Sequence, residues 1–143
     1  AFTPVREEID GGIESGYRAT QALLRRDANL TAIVTVHSDT AIGVMRALRQ
    51  SGRRVPEHIS LAGVNREHWF RAMEPQMTSS DVPLIEMVRA GAGLLVEQLA
   101  QPNSHAPRQI IVPACLTVRE STAPRNDELR FLFDPNADTH HRS

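Results

Sequence analysis

Residues 32–65 read AIVTVHSDTAIGVMRALRQSGRRVPEHISLAGVN, a strand–helix–strand unit punctuated at each boundary. Ala32–Val36 is a short apolar run rich in β-branched residues, which predicts a strand buried on both faces. The chain then turns polar, and Ser38 or Asp39 is placed to cap a helix by accepting a hydrogen bond from an orphan amide. Ala41, Val44, Met45 and Leu48 follow at i, i+3, i+4 and i+7, one face of that helix, while Arg46, Arg49 and Gln50 take the wetter side. Gly52 supplies a left-handed stop with Pro56 just beyond, and Ile59–Val64 is the second strand. A crossover of this kind is right-handed, so the two strands are predicted to be parallel neighbours in one sheet. Open α/β sheets bind ligands outside the carboxyl ends of such strands. Here those ends are His37-Ser38-Asp39 and Val64-Asn65-Arg66.

Working outward, Val5–Ile9 alternates apolar ends with charges and suggests an edge strand, turned by Asp10-Gly11-Gly12. Ile13, Tyr17, Thr20 and Leu24 mark a helical stripe ending near Arg25-Arg26, and Asp27–Thr31 is a loop. On the other side, Arg66–Met73 reads as a loop with a short helical turn and holds the single tryptophan, Trp69. Met77–Val82 is a brief extended segment. Pro83 sits in the first turn of a helix, where its missing N–H does no harm. Leu84, Met87, Val88, Gly91, Leu95 and Leu99 form that helix's apolar stripe, with Glu86 near its positive end. After a loop at Pro102–Pro107, Gln109–Val112 and Leu116–Arg119 read as two strands, or as one strand bent at Pro113. No period is visible from Pro124 to Ser143, which reads as a loose tail with Leu129, Phe131, Leu132 and Phe133 as a docking patch.

The chain has 143 residues, enough to bury a core, and a net charge of −1, which gives no global bias toward nucleic acid. One cysteine, Cys115, excludes an internal disulfide framework, fits a reducing compartment and is expected to be a small buried apolar residue. No run is long or apolar enough to span a bilayer. The N-terminus AFTPVREEIDGG carries carboxylates where a signal peptide needs a basic start and an apolar core.

The segment TAIGVMRALRQSGRRVPEHISLAGVN resembles the effector-binding domain of LacI/GalR-type transcriptional regulators. Three further segments are similar in the same order: Ser15-Gly16-Tyr17-Arg18-Ala19, Pro75-Gln76-Met77-Thr78-Ser79 and the closing phrase Val118-Arg119-Glu120-Ser121-Thr122-Ala123-Pro124. The resemblance implies an α/β fold, a parallel sheet flanked by helices, forming part of a periplasmic-binding-protein-like type I lobe. In that family two such lobes enclose a ligand cleft, and the chain crosses between them three times. By resemblance, 1–82 and 114–123 belong to the C-terminal lobe, and 83–113 is the returning helix and strand of the N-terminal lobe, with 124–143 the tail. The stripe on Leu84–Leu99 then requires a sheet this chain does not contain, and each exposed Leu or Met leaves about 1.5–3 kcal/mol of burial unrealised. We therefore expect the chain to be part of a longer sensor, whose helix-turn-helix headpiece lies outside it.

The resemblance points to His37, Asn65, Arg66, Trp69 and Val82 as ligand-facing residues. His37 stands where the family usually has Asn, Ser38 where it has Asp, Asn65 where a ligand-contacting Asp is common, and Val82 where Gln is frequent. His37, Asn65 and Arg66 keep hydrogen-bonding capacity, whereas Val82 loses it. Arg66 has the fork to bind an anionic group bidentately, set against a solvated surface role, and Trp69 has a face to stack on a ligand, set against a packed loop anchor. Ile42 and Met45 share one helix flank, and by resemblance they form a dimer interface with Met73. His37-Ser38-Asp39 is not a catalytic triad, because triads assemble from distant positions. His140-His141 lacks metal-ligand spacing.

These readings predict the ligand-sensing and dimerising portion of a cytoplasmic LacI-type regulator, without enzymatic activity and without a cofactor. Its effector is expected to be a sugar-like or nucleobase-like small molecule, its partner a second copy of itself, and its contact with operator DNA is made through the headpiece. The alternative is part of a periplasmic sugar- or solute-binding protein, which shares the two-lobed fold.

Overall fold

The computed structural model describes residues 11–65, 67–100 and 107–124, with Asn65, Glu67 and His68 described by their backbone alone. The Val5–Ile9 strand, Arg66 and the tail beyond residue 124 lie outside the described residues. Four helices and four strands follow in the order α1 (Ile13–Arg26), β1 (Ala32–Thr35), α2 (Ser38–Gln50), β2 (Ser60–Asn65), α3 (Glu67–Arg71), β3 (Thr78–Asp81), α4 (Leu84–Ala100) and β4 (Cys115–Thr117). The strands form one sheet in sequence order, with β1, β2 and β3 parallel and β4 antiparallel to β3. This is the mixed α/β architecture that the 32–65 unit predicts.

Helix α2 shows why the unit holds. Ala41, Val44, Ala47 and Leu48 are buried and join Ile33, Ile59, Leu61, Phe70 and Met77 in the core. Its end is a Schellman turn: the Gly52 N–H donates to the Arg49 carbonyl and the Arg53 N–H to that of Leu48, with Gly52 at φ 68°. Its start departs from expectation. The N-cap is His37, whose carbonyl accepts from the Ala41 N–H, and no side chain caps the helix. Ser38 lies inside the first turn and is buried, so its hydroxyl is one position too late to reach back to the orphan amides.

Helix α1 packs on α2 through small residues, of which Thr20 belongs to the predicted stripe. Ser15, Gly16 and Thr20 are its buried positions, while Ile13 is exposed. A Cβ on Gly43 would lie 2.7 Å from the Tyr17 nitrogen and closer still to the Ile13 carbonyl oxygen, and one on Gly16 would lie 3.0 Å from the Thr40 Cα and closer still to the Thr40 carbonyl oxygen. The two backbones therefore touch, leaving no room for large side chains between them. Polar contacts frame the seam, with the Tyr17 hydroxyl donating to Gln50 at 2.6 Å and the Arg46 guanidinium lying 4.7 Å from the Tyr17 ring centre.

Strand β1 is buried on one face only. Ile33 and Thr35 are buried, whereas Val34 is 71 % exposed and Val36 is also exposed. The apolar run predicted burial on both faces, but the described residues supply a helical layer to one. Gln109–Val112 forms no strand among the described residues, and Ile110 and Ile111 are exposed. A strand needs a partner's backbone, and β4 begins only at Cys115, where β3 offers one. Cys115 is exposed, contrary to the expectation of burial, because β4 is the edge strand of the sheet.

The closing phrase locks the amino end of the sheet. The buried Ser121 hydroxyl donates to the Leu61 carbonyl and accepts from the Thr78 N–H at 2.8 Å, so one side chain bridges β2 and β3. Its backbone N–H and carbonyl pair with the Gln76 carbonyl and the Leu61 N–H. Thr78 and Thr122 share a hydroxyl hydrogen bond of 2.8 Å, and the Glu120 carboxylate accepts from the Gln76 N–H.

Candidate functional site: the carboxyl edge of the sheet

The three parallel strands end together. Thr35, Gly63 and Ser79 lie in register across β1, β2 and β3, and Asn65 pairs with Asp81 at the last positions of β2 and β3. His37 follows β1, Asn65 ends β2 and Val82 follows β3, so the fold brings these three candidates to one edge. His37 is exposed, in extended backbone at φ −133° and ψ 140°, at the N-cap of α2. Its ring makes no cap bond, and an imidazole offers a donor and an acceptor for hydrogen bonding. Val82 is half-buried. Trp69, on the short helix α3 that follows β2, is 47 % exposed. Arg66, between β2 and α3, lies outside the described residues.

The edge combines polar groups with apolar surface, the composition of small-molecule sites. Among the described residues there is no cluster of His, Cys, Asp and Glu fit for a metal ion. No helix among them is long and apolar enough to cross a membrane.

A second concavity lies apart from this edge. An open groove of about 650 Å³ runs between α2 and the turn after it, lined by Ile42, Met45, Val55, Arg49, Arg54 and Glu74 among others. Ile42 and Met45 thus share one wall, both half-buried, and Met45 also packs against the core, as does Met73. Beside the groove, the His58 Nδ1 accepts from the Arg54 N–H at 2.9 Å. Partial burial, reinforced by the Arg54 and Arg53 charges and opposed by Glu57, holds the His58 pKa below its ordinary value.

One cluster escaped sequence reasoning. Arg119 and Asp81 form a nearly buried ion pair at 3.2 Å, Ser79 bonds to both groups and Thr117 donates to the carboxylate. Their separation in the chain hid the pairing, and the similarity of Val118–Pro124 to a family phrase was the only signal at that place.

Comparison with known proteins places this geometry. Residues 2–122 match the family model described as periplasmic binding protein-like domain. The HTH-type transcriptional regulator CelR of Thermobifida fusca is 33 % identical over 108 residues, which are 76 % of this chain and 32 % of CelR. The solved CelR–cellobiose complex superposes with a TM-score of 0.73 at 33 % identity, covering 79 % of this chain and 34 % of that one. A LacI family regulator from Enterococcus faecalis V583 with bound ribose gives a TM-score of 0.75 at 28 % identity, covering 83 % and 43 %. The chain spans about a third of the length of the curated relatives it matches. It belongs to the periplasmic binding protein-like domain family, in the form carried by LacI-type transcriptional regulators.

Proposed function

We propose that this chain is the ligand-sensing and dimerising portion of a cytoplasmic LacI-type transcriptional regulator, and that its effector is a small sugar or a related polar molecule. The observation that carries the reading is the convergence of His37, Asn65 and Val82 on the carboxyl edge of parallel strands, in a fold shared with regulators solved with cellobiose and ribose. By this reading 1–82 and 114–123 form one lobe, and 83–113 belongs to the other. His37 and Asn65 contribute hydrogen bonds, Val82 an apolar contact, Arg66 a charge-assisted bond and Trp69 a stacking face. The role is binding rather than catalysis, in keeping with relatives named as transcriptional regulators.

The mechanism is a population shift. An effector bound between two lobes favours one lobe arrangement by its differential affinity, and that arrangement changes operator binding by the headpiece. The names of the relatives support a regulator over a periplasmic solute-binding protein. A thermal-shift screen with cellobiose, ribose and lactose on the two-lobed protein tests the site. One of these sugars raises the melting temperature, with a shift that grows with the logarithm of ligand concentration above Kd, and His37→Ala reduces the shift. A sugar-induced shift that His37→Ala leaves intact, or no shift with any sugar, overturns the assignment.

Dimerisation is proposed through Ile42, Met45 and Met73. The groove floored by Ile42 and Met45 supports it, since apolar ground rimmed by Arg49, Arg54 and Glu74 has the make-up of a subunit interface. Ile42→Asp weakens self-association in sedimentation velocity. An unchanged profile removes Ile42 from the interface.

A further inference from the structure

The chain leaves the body of the sheet and returns to it at one place. β3 runs out through Val82 and Pro83 into α4, and 107–114 comes back into β4, which lies antiparallel beside β3 with Asp81 opposite Cys115 and Ser80 opposite Leu116. Helix α4 buries none of its residues, so among the described residues the two connections are fixed to the sheet by what surrounds this junction. A three-residue strand offers few ladder bonds for that purpose.

Side chains supply the rest. The Asp81 carboxylate accepts from Arg119 Nη2 at 3.2 Å and from Thr117 Oγ1 at 2.9 Å on one oxygen, and from Ser79 Oγ on the other. Arg119 Nη1 donates to the Met77 carbonyl at 2.8 Å and to Ser79 Oγ at 2.6 Å, and the Arg119 backbone N–H donates to Thr78 Oγ1 at 2.9 Å. The side chains of Arg119 and Asp81 are 8 % and 16 % exposed. Asp81 is the last residue of the outgoing strand, Thr117 is the last residue of the returning one, and Arg119 follows two residues after it. A charge pair this enclosed holds only when its remaining donors and acceptors are met, and here the bonds that meet them run across both strands.

We propose that the Asp81–Arg119 pair is a clasp that fastens the outgoing and returning connections into a single hinge, so that they swing together. Without it, the connections are joined at the sheet by the short β3–β4 ladder and farther out by the exposed Arg108–Glu97 pair, and a lobe movement reaches the sheet through two more loosely coupled tethers. The clasp rests on the two-lobe reading of 83–113 given above. Its test uses no effector, so failure of the clasp and failure of the sensor reading are separate results.

The test is a pulsed spin-label distance measurement on the chain with Cys115→Ser, labelled at Leu84→Cys and Ile111→Cys, two exposed positions on the outgoing and returning segments. A control pair at Arg18→Cys and Arg49→Cys spans α1 and α2. Arg119→Met roughly doubles the width of the 84–111 distribution, as expected of separated hinge elements, and leaves the 18–49 width unchanged. Asp81→Asn, which keeps the volume and removes the charge, broadens the same pair and serves if Arg119→Met fails to fold. Arg119→Lys keeps the charge without the planar fork and broadens it as well. An unchanged 84–111 width in a folded Asp81→Asn protein, or equal broadening of both pairs, overturns the clasp.

Discussion

Helix α2 buries Ala41, Val44, Ala47 and Leu48 against the sheet and α1, whereas α4, with a longer run of Leu, Ile and Val, buries nothing among the described residues. Leu48 is fully enclosed, and Leu99 is 71 % exposed. The two helices differ in what stands opposite them. α2 faces β1, β2 and the backbone of α1, while α4 projects from the end of β3 with no layer against its stripe. An apolar stripe therefore states a need for a partner and is silent about whether the same stretch of chain provides it. The need in α4 is what the two-lobe reading answers, since a second lobe supplies a sheet for it to cover.

The contrast is open to direct attack by mutation. Leu48→Ala lowers the unfolding free energy of this chain by about 2–5 kcal/mol, because the core around it closes only partly over the void. The matched change in α4, Leu95→Ala, stays within about 0.5 kcal/mol by the same urea titration, as exposed substitutions do. In a two-lobed regulator carrying this chain, Leu95→Ala rises toward the cost of Leu48→Ala. Equal costs for the two in the 143-residue chain break the comparison.

Gly43→Ala comes next, at about 1–3 kcal/mol, because its new methyl group meets the backbone of Ile13 and Tyr17 rather than a side chain free to move. Gly91→Ala in α4 meets nothing and stabilises slightly through helix propensity. Opposite signs for two glycine-to-alanine changes in two helices sharpen the distinction between a packed helix and an uncovered one.

The smallest effect is one of pH. His58 has a pKa below 6.5 in the folded chain, so the unfolded chain takes up the proton first as pH falls. The contribution of neutral His58 is fully present above pH 6.5 and declines as the pH drops through its lowered folded value. Protonation also removes the acceptor for the Arg54 N–H. The melting temperature of His58→Gln, relative to the parent, thus falls less steeply between pH 7 and pH 5. Parallel curves for the two proteins count against a role for this histidine in the turn.

Much of the local architecture was legible in the chain. The periodicity of Ala41, Val44 and Leu48 located α2 and its buried face, and Gly52 marked its end, since only glycine enters the left-handed region without strain. The parallel pairing of β1 and β2 followed from the crossover between them. The placement of His37 and Asn65 on one edge followed from the strand–helix–strand reading, and Val82 was assigned by resemblance. The start of α2 was less legible, because serine at 38 and aspartate at 39 carry the same capping preference as a true cap and differ from it only in register. The stripe of α1 was right at Thr20 and wrong at Ile13, which is exposed, and it missed the close contact at Ser15 and Gly16.

The sequence by itself determined the helices α1, α2 and α4, the strands β1 and β2 with their parallel pairing, and the order of these elements, because those depend on residue spacing and on turns a few residues long. It did not determine that 109–112 forms no strand or that β4 runs antiparallel. Tertiary structure alone decided which face of β1 is covered, that Cys115 lies on an exposed edge, and that Arg119 reaches Asp81. Each of these depends on groups far apart in the chain being brought within a few ångströms, and a local pattern carries no record of that distance.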